Sequence, residues 1–467
     1  MNSKKKIIGF VFSIIVGLII AFLPPPEGLT PVAMKTLGIT FWAVANWAMQ
    51  TQNAFITAIM MSIMFAIVGS APFNVVFGTF AEPIWWFVMG VLGMSIALTQ
   101  SGAVKRLSLN IMKFFAPTFV GQMLGVVMSG FVINPLVPSV AAKMSISIPI
   151  TVATSRAMGY KNQSIGMHGM FLANVIGVMM ISVLFINGNL FGVMAFSFLP
   201  AEVSSQIGWG TWFINMLPWV AIVVVASILF VIWKYNPKGE NLLTKDYILK
   251  QIEDLGPMSR KEKITIAVFA IAILLWVTEK QHGFGTNIVA MSGFMVLMVL
   301  NVVSVDEFKK NIPWDTVMLN GTMMGMGAIM NAVGLQTYIS TVAGPMLKGI
   351  TGNPYIFIAV ISLSLFLIRF IYSEQSSAIA IFVVLLVPFS VDAGINPWII
   401  SMVVFTSMLN WNLMHQNRLV LVAYSLAGGE DTVAYKGITM LSHVYVVICI
   451  LAYWACIPIW RMTGMVM

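Results

Sequence analysis

Charge is what this chain has least of. Only 9% of its 467 residues are Asp, Glu, Lys or Arg, where a soluble domain carries about 25%. With 59% hydrophobic residues, its surface is solvated by lipid rather than water. Cysteine is almost missing: Cys449 and Cys456 stand alone in a late apolar run, which excludes a disulfide framework and offers no metal-ligand spacing. The G-x-x-x-x-G-K-[ST] loop, H-E-x-x-H and G-x-S-x-G are absent as well, so ATP-driven pumping and hydrolase chemistry lack their parts. The net charge of +9 fits basic loops at a membrane face and argues for no nucleic-acid partner.

What is present is a series of apolar runs, placed on the template of about 20 mostly apolar residues per span. They fall near 7–23, 34–48, 54–70, 84–99, 118–133, 166–198 and 212–233, then 264–278, 286–303, 315–333, 353–371, 397–414 and 433–460. The longest leave room for a break or a second pass. The first follows Lys4–Lys5–Lys6 and meets "PPPEGLTP" with no small-residue cleavage site, which reads as an uncleaved span. Between the halves lies one polar segment, 234–263, with seven Lys and Arg. The positive-inside bias places it in the cytoplasm with the N-terminus. The expected organisation is a first repeat over 1–233, a basic loop over 234–263 and a second repeat over 264–467.

Internal similarity supports the duplication. "GVLGMSIALTQSGAVKRLS" (90–108) matches "TMMGMGAIMNAVGLQTYIS" (322–340) at Gly93, Met94, Gly102 and Ser108 against Gly325, Met326, Gly334 and Ser340, each 232 residues on. Trp47 and Trp276 open similar polar breaks, 229 apart. Duplicated halves with interrupted helices point to a secondary transporter that holds its substrate at the repeat interface.

Each half also has a polar, proline-containing hairpin candidate. The first is "INPLVPSVAAKMSISIPI" (133–150), with Asn134, Ser139 and Lys143; the second is "SEQSSAIAIFVVLLVPF" (373–389), with Glu374, Gln375, Ser376 and Ser377. Ser139 precedes Pro149 by ten positions and Ser377 precedes Pro388 by eleven, so the two segments are expected at equivalent places. A broken helix frees backbone N–H groups and presents a partly positive end that suits an anion. Serines and alanines also mark close helix packing, and Lys143 has the length to snorkel to an interface. Ionisable residues at depth nevertheless tend to face a cavity or a partner. A second polar spot follows each hairpin: "LFINGNLFG" (184–192), with Asn187 and Asn189, and "NLMHQNRLV" (412–420), with His415 and Asn417. Amides and free carbonyls at such breaks suit a sodium ion or a carboxylate, and short loops at a membrane face have the same composition. Arg369 and the pair Lys105–Arg106 read as interface anchors.

"PPPEGLTPVAMKTLGITFWAV" (24–44), "LTQSGAVKRL" (98–107), "IPWDTVMLNG" (312–321) and the hairpin before Pro149 resemble the divalent anion:sodium symporter family of di- and tricarboxylate and sulfate carriers. The resemblance covers nearly the whole chain. It implies an all-α polytopic fold of two inverted repeats with re-entrant hairpins, a scaffold domain and a moving transport (elevator) domain. It also implies a homodimer in a bacterial inner membrane, and a Ser-Asn-Thr motif in each hairpin for sodium and substrate carboxylates. Here Ser139 keeps the serine, but Val140 and Ala141 replace the other two, and Ser376–Ser377 are the nearest match in the second hairpin. Lys143 stands where the exchanger branch has an arginine. The expected function is transport of a small organic dianion by sodium-coupled symport or anion exchange. The expected cofactor is none beyond one sodium ion, near Ser376, Ser377 and Asn417. A sulfate or other oxyanion carrier, and a non-transporting membrane sensor or structural protein with a carrier fold, are the alternatives.

Overall fold

The computed structural model describes residues 3–237 and 245–467. Residues 238–244 of the segment expected as a loop over 234–263 lie outside the described residues. The rest of that segment includes a short helix, Lys245–Glu253. Regular structure is helical throughout, with 25 α-helices and no strand among the described residues. Among the described residues, four helical runs are long and apolar enough to cross a bilayer: Pro83–Gln100, Ile165–Leu184, Trp209–Tyr235 and Tyr435–Met462. Tyr435–Met462 is one helix of 28 residues, so the long apolar run at 433–460 is helical nearly throughout, without a break.

Helix ends follow local chemistry. Thr30 accepts the Ala33 N–H and Pro31 opens the helix Pro31–Met49; Ser259 and Glu262 close a capping box at the start of Arg260–Val277. These side chains take N–H groups that a helix start leaves without partners. The duplicated features recur in the structure. The Trp47 indole donates to the Ala54 carbonyl at 3.1 Å, and the Trp276 indole donates to the Thr286 carbonyl at 3.2 Å. In both places an indole ties the end of one helix to the start of a later one close behind it. Gly102 and Gly334, matched in sequence, both take the left-handed conformation, at φ 85 and 75, which favours a residue without a side chain.

The deeper correspondence is in element lengths. Phe119–Ile133 and Val140–Ala157 have 15 and 18 residues; Pro354–Ile368 and Gln375–Asp392 have 15 and 18 again. Their starts are 235 residues apart in both cases, 119 to 354 and 140 to 375. This register corrects the pairing drawn from the prolines. It sets Ser139 opposite Glu374, not Ser377, and both residues cap their helix. Pro149 and Pro388 break nothing: each lies inside a continuous helix. Neighbouring helices and Ser/Thr side chains make this tolerable in a membrane protein.

After each hairpin comes an interrupted helix. Ile165–Val175 runs through a π turn, Ile176–Met180, and a 3-10 turn, Ile181–Leu184, before the chain extends at Phe185 and resumes as Leu190–Ser197. Pro397–Ser407 stops and Arg418–Leu426 resumes. Val140–Ala157 packs against Ile165–Val175 and against Arg418–Leu426 of the other half. Reciprocally, Gln375–Asp392 packs against Pro397–Ser407 and against Leu190–Ser197. Both hairpins are therefore held between the two interrupted helices. One close approach between them needs glycine: a Cβ on Gly130 would sit 2.3 Å from the Gly177 carbonyl.

Candidate functional site

In the first half the site begins at the turn between hairpin helices. Ser139 Oγ accepts the Ala142 N–H at 3.2 Å and is half-buried. One turn on, Lys143 is only 1% exposed. Its Nζ donates to Asn134 Oδ1 and, at 2.7 Å, to the Gly188 carbonyl. Asn134 Nδ2 donates in turn to the Gly177 carbonyl at 2.8 Å. From the break, Asn187 Nδ2 donates to the Pro135 carbonyl, while Asn187 Oδ1 accepts the Trp209 indole at 3.1 Å. Asn189 Nδ2 donates to Ser182 Oγ at 3.0 Å, and its Oδ1 accepts the Phe191 N–H. Ser139, Lys143, Asn134, Asn187 and Asn189 thus gather at one place, where the ammonium fastens the hairpin turn to the broken helix. The only ion pair among the described residues joins Arg106 to Glu262, so no carboxylate lies within 4.0 Å of Lys143.

The second half is built from the same elements and is less complete. Glu374 Oε2 accepts the N–H of Ser377 at 2.6 Å and its Oγ–H at 2.5 Å, and the Tyr372 hydroxyl shares Ser377 Oγ at 2.7 Å. Gln375 Nε2 donates to the Met408 carbonyl at 3.0 Å, where the interrupted helix ends. Asn417 Oδ1 caps the resumed helix through the Leu419 and Val420 N–H groups, and its Nδ2 donates to the Leu409 carbonyl at 2.7 Å. The same Nδ2 lies 3.6 Å from Met179 Sδ, which ties the second break to the first. Ser376 is half-buried at the hairpin, whereas His415 is exposed on the outer side of the break.

Several buried polar atoms of this half have no partner among the described residues: Gln375 Oε1, Ser407 Oγ, both side-chain polar atoms of Asn410, Asn412 Oδ1 and Gln416 Nε2. Such orphans cost free energy unless something else satisfies them. The set is dominated by neutral oxygens, which suit a hard monovalent cation or, through the amide N–H groups, an anion. Sequence reasoning passed over Asn410 and Ser407, since nothing sets them apart in an apolar run before the break. It also misread Arg369. Far from anchoring an interface, Arg369 is fully buried at the turn of the second hairpin, 235 residues after Asn134.

Apolar helices with non-helical breaks meeting in a buried interior are the build of a multi-pass membrane transporter. Residues 4–460 match the model of the sodium:sulfate symporter transmembrane region, and the chain belongs to that family. A membrane protein of Cupriavidus necator is 24% identical over 333 residues, 67% of this chain and 65% of that relative, so the alignment spans just under two thirds of its length. Chloroplastic dicarboxylate transporter 1 of Spinacia oleracea is 23% identical over 86% of this chain and 72% of the relative. Inner membrane protein YbhI of Escherichia coli is 22% identical, covering 81% of both chains.

Proposed function

We propose that this chain moves a small organic dianion, a di- or tricarboxylate, by anion exchange or by symport with at most one coupling cation. The observation that carries this reading is Lys143. A buried cation held by two neutral oxygens and facing no carboxylate leaves its charge for an anion to complement. In the first half the ammonium itself occupies an oxygen-lined position between hairpin and break, and Val140 and Ala141 bring no side-chain oxygen for a metal ion. In the second half Glu374, Gln375, Ser376, Ser377 and Asn417 supply the oxygens for a single sodium ion. Ser139 and the hairpin N-termini face the substrate carboxylates, with Asn134, Asn187 and Asn189 positioning the turn; His415, exposed, has the remotest part. The dicarboxylate named for the spinach relative supports the substrate class.

In this reading the halves, 1–233 and 264–467, are inverted repeats joined by a cytoplasmic segment. The hairpins and interrupted helices form a body that moves as an elevator against a scaffold, in a homodimer of a bacterial inner membrane. Uptake of radiolabelled succinate into proteoliposomes tests it. Succinate inside the vesicles should stimulate uptake more than an inward sodium gradient does. Uptake that rises with at least the square of sodium concentration and ignores internal anion sinks the coupling assignment. Sulfate uptake without succinate uptake makes the chain an oxyanion carrier, and movement of neither makes it a sensor.

A further inference from the structure

We propose that Arg369 binds one carboxylate of the carried dianion side-on, through its Nε–H and the adjacent Nη2–H. This contact rests on the reading of the chain as a dicarboxylate carrier and names the group that would recognise the substrate in the second half. Arg369 follows the last residue of Pro354–Ile368 and is fully buried. Its Nη1 donates at 2.9 Å to both the Tyr372 and the Ser373 carbonyls, which fixes the plane of the guanidinium against its own turn. Nε and Nη2 have no partner among the described residues. Those two atoms form one edge of the guanidinium, with parallel N–H bonds spaced for the two oxygens of a carboxylate.

None of the acceptors nearby in sequence pairs with Nε or Nη2. Glu374 makes no ion pair with Arg369 within 4.0 Å. Its Oε2 takes both donors of Ser377, and it caps an 18-residue helix whose N-terminal end favours a negative charge. Ser373 Oγ accepts from Gln50 Nε2 at 3.2 Å, and the Tyr372 hydroxyl is paired with Ser377 Oγ. A buried charge with two aligned, unused donors is among the most costly arrangements a protein can keep. An anion arriving from outside the chain relieves it.

The test is binding to the purified full-length protein, read as ligand-dependent thermal stability and by calorimetry. The probes are succinate, monomethyl succinate and sulfate, applied to the parent, Arg369→Gln and Arg369→Lys. Loss of a charge-assisted bidentate contact should raise the succinate dissociation constant by about 10- to 100-fold in Arg369→Gln. Arg369→Lys keeps the charge but not the edge, so it should fold as the parent does and still lose at least about tenfold in affinity. The parent's preference for succinate over its half-ester should shrink in both variants, which a structural defect alone would not produce. Succinate affinity equal to the parent's in Arg369→Lys, or equal losses for succinate and the half-ester, overturns the contact while the carrier reading stands. A parent that binds sulfate and no dicarboxylate, or neither, overturns both.

Discussion

The two interrupted helices differ in how far each completes itself. In the first, every amide near the break has work to do within the chain, and the Lys143 ammonium holds Asn134 Oδ1 and the Gly188 carbonyl together. In the second, Asn410, Asn412, Gln416, Gln375 and Ser407 keep buried polar atoms without partners, although the helices around them match those of the first half in length. The two halves thus share element lengths, while the first holds its buried cation across the break and the second holds Arg369 only against its own turn. The general point is that backbone architecture and ligand chemistry are separable: the hairpin needs a cap and a close glycine contact, and neither depends on what the turn binds.

The largest effect should come from removing the internal cation. Lys143→Ala takes away the charge and strands two oxygens, so dicarboxylate affinity measured by calorimetry should fall by about 1.5–3 kcal/mol, on the order of 10- to 150-fold. An unchanged affinity would place the anion away from the first hairpin and undo the comparison. The stranded oxygens make a sharper version available. Two unit charges about 5 Å apart at an effective dielectric near 20 repel by roughly 3 kcal/mol, so the ammonium excludes sodium from its surroundings. Lys143→Ala lifts that exclusion, and sodium should stimulate succinate uptake more strongly in the variant than in the parent. A variant with the parent's sodium response would show that the first break has no capacity for a second cation.

How much of this was legible beforehand depends on the scale of the signal. The apolar runs, the central polar segment and the Asn-Gly-Asn and His-Gln-Asn interruptions are local features, and helix interruptions occur at both. The hairpin register was not local. Matching Ser139 with Ser377 relied on prolines as helix breakers, but in a packed membrane interior Pro149 and Pro388 sit within helices. The residue at the corresponding place is Glu374, a different side chain that performs the same capping. Ala103–Met112 and Leu335–Thr351 escaped the hydropathy reading because they are short or mixed in polarity. Arg369 escaped for another reason. A charge near the end of the run 353–371 looks like an interface anchor until the turn buries it, and burial is a property of tertiary packing that no spacing reveals.

Stability should separate the halves next. Asn134→Leu removes one of the two acceptors of Lys143 and the donor to the Gly177 carbonyl, leaving the ammonium with the Gly188 carbonyl alone, at a cost of about 1–3 kcal/mol. Thermal unfolding in detergent without ligand should show this as a clear drop in Tm. If Asn134→Leu unfolds at the parent's temperature, the first-half network contributes little and is not what closes that break.

The smallest expected effect is the most discriminating. Asn410 is fully buried and neither atom of its amide has a partner. Burying an unpaired amide costs about 1–3 kcal/mol, whereas a leucine of similar volume in the same place has no polar group to desolvate. Asn410→Leu should therefore leave the ligand-free Tm unchanged or raise it slightly, the opposite of Asn134→Leu. Its cost should appear only with ligand: the stabilisation that succinate and sodium give the parent should be lost, because the amide is satisfied by what binds there. If Asn410→Leu destabilises the ligand-free protein as much as Asn134→Leu does, the amide is already paired in the resting state. The second break would then be as self-contained as the first, and the difference between the halves would reduce to the position of Lys143 alone.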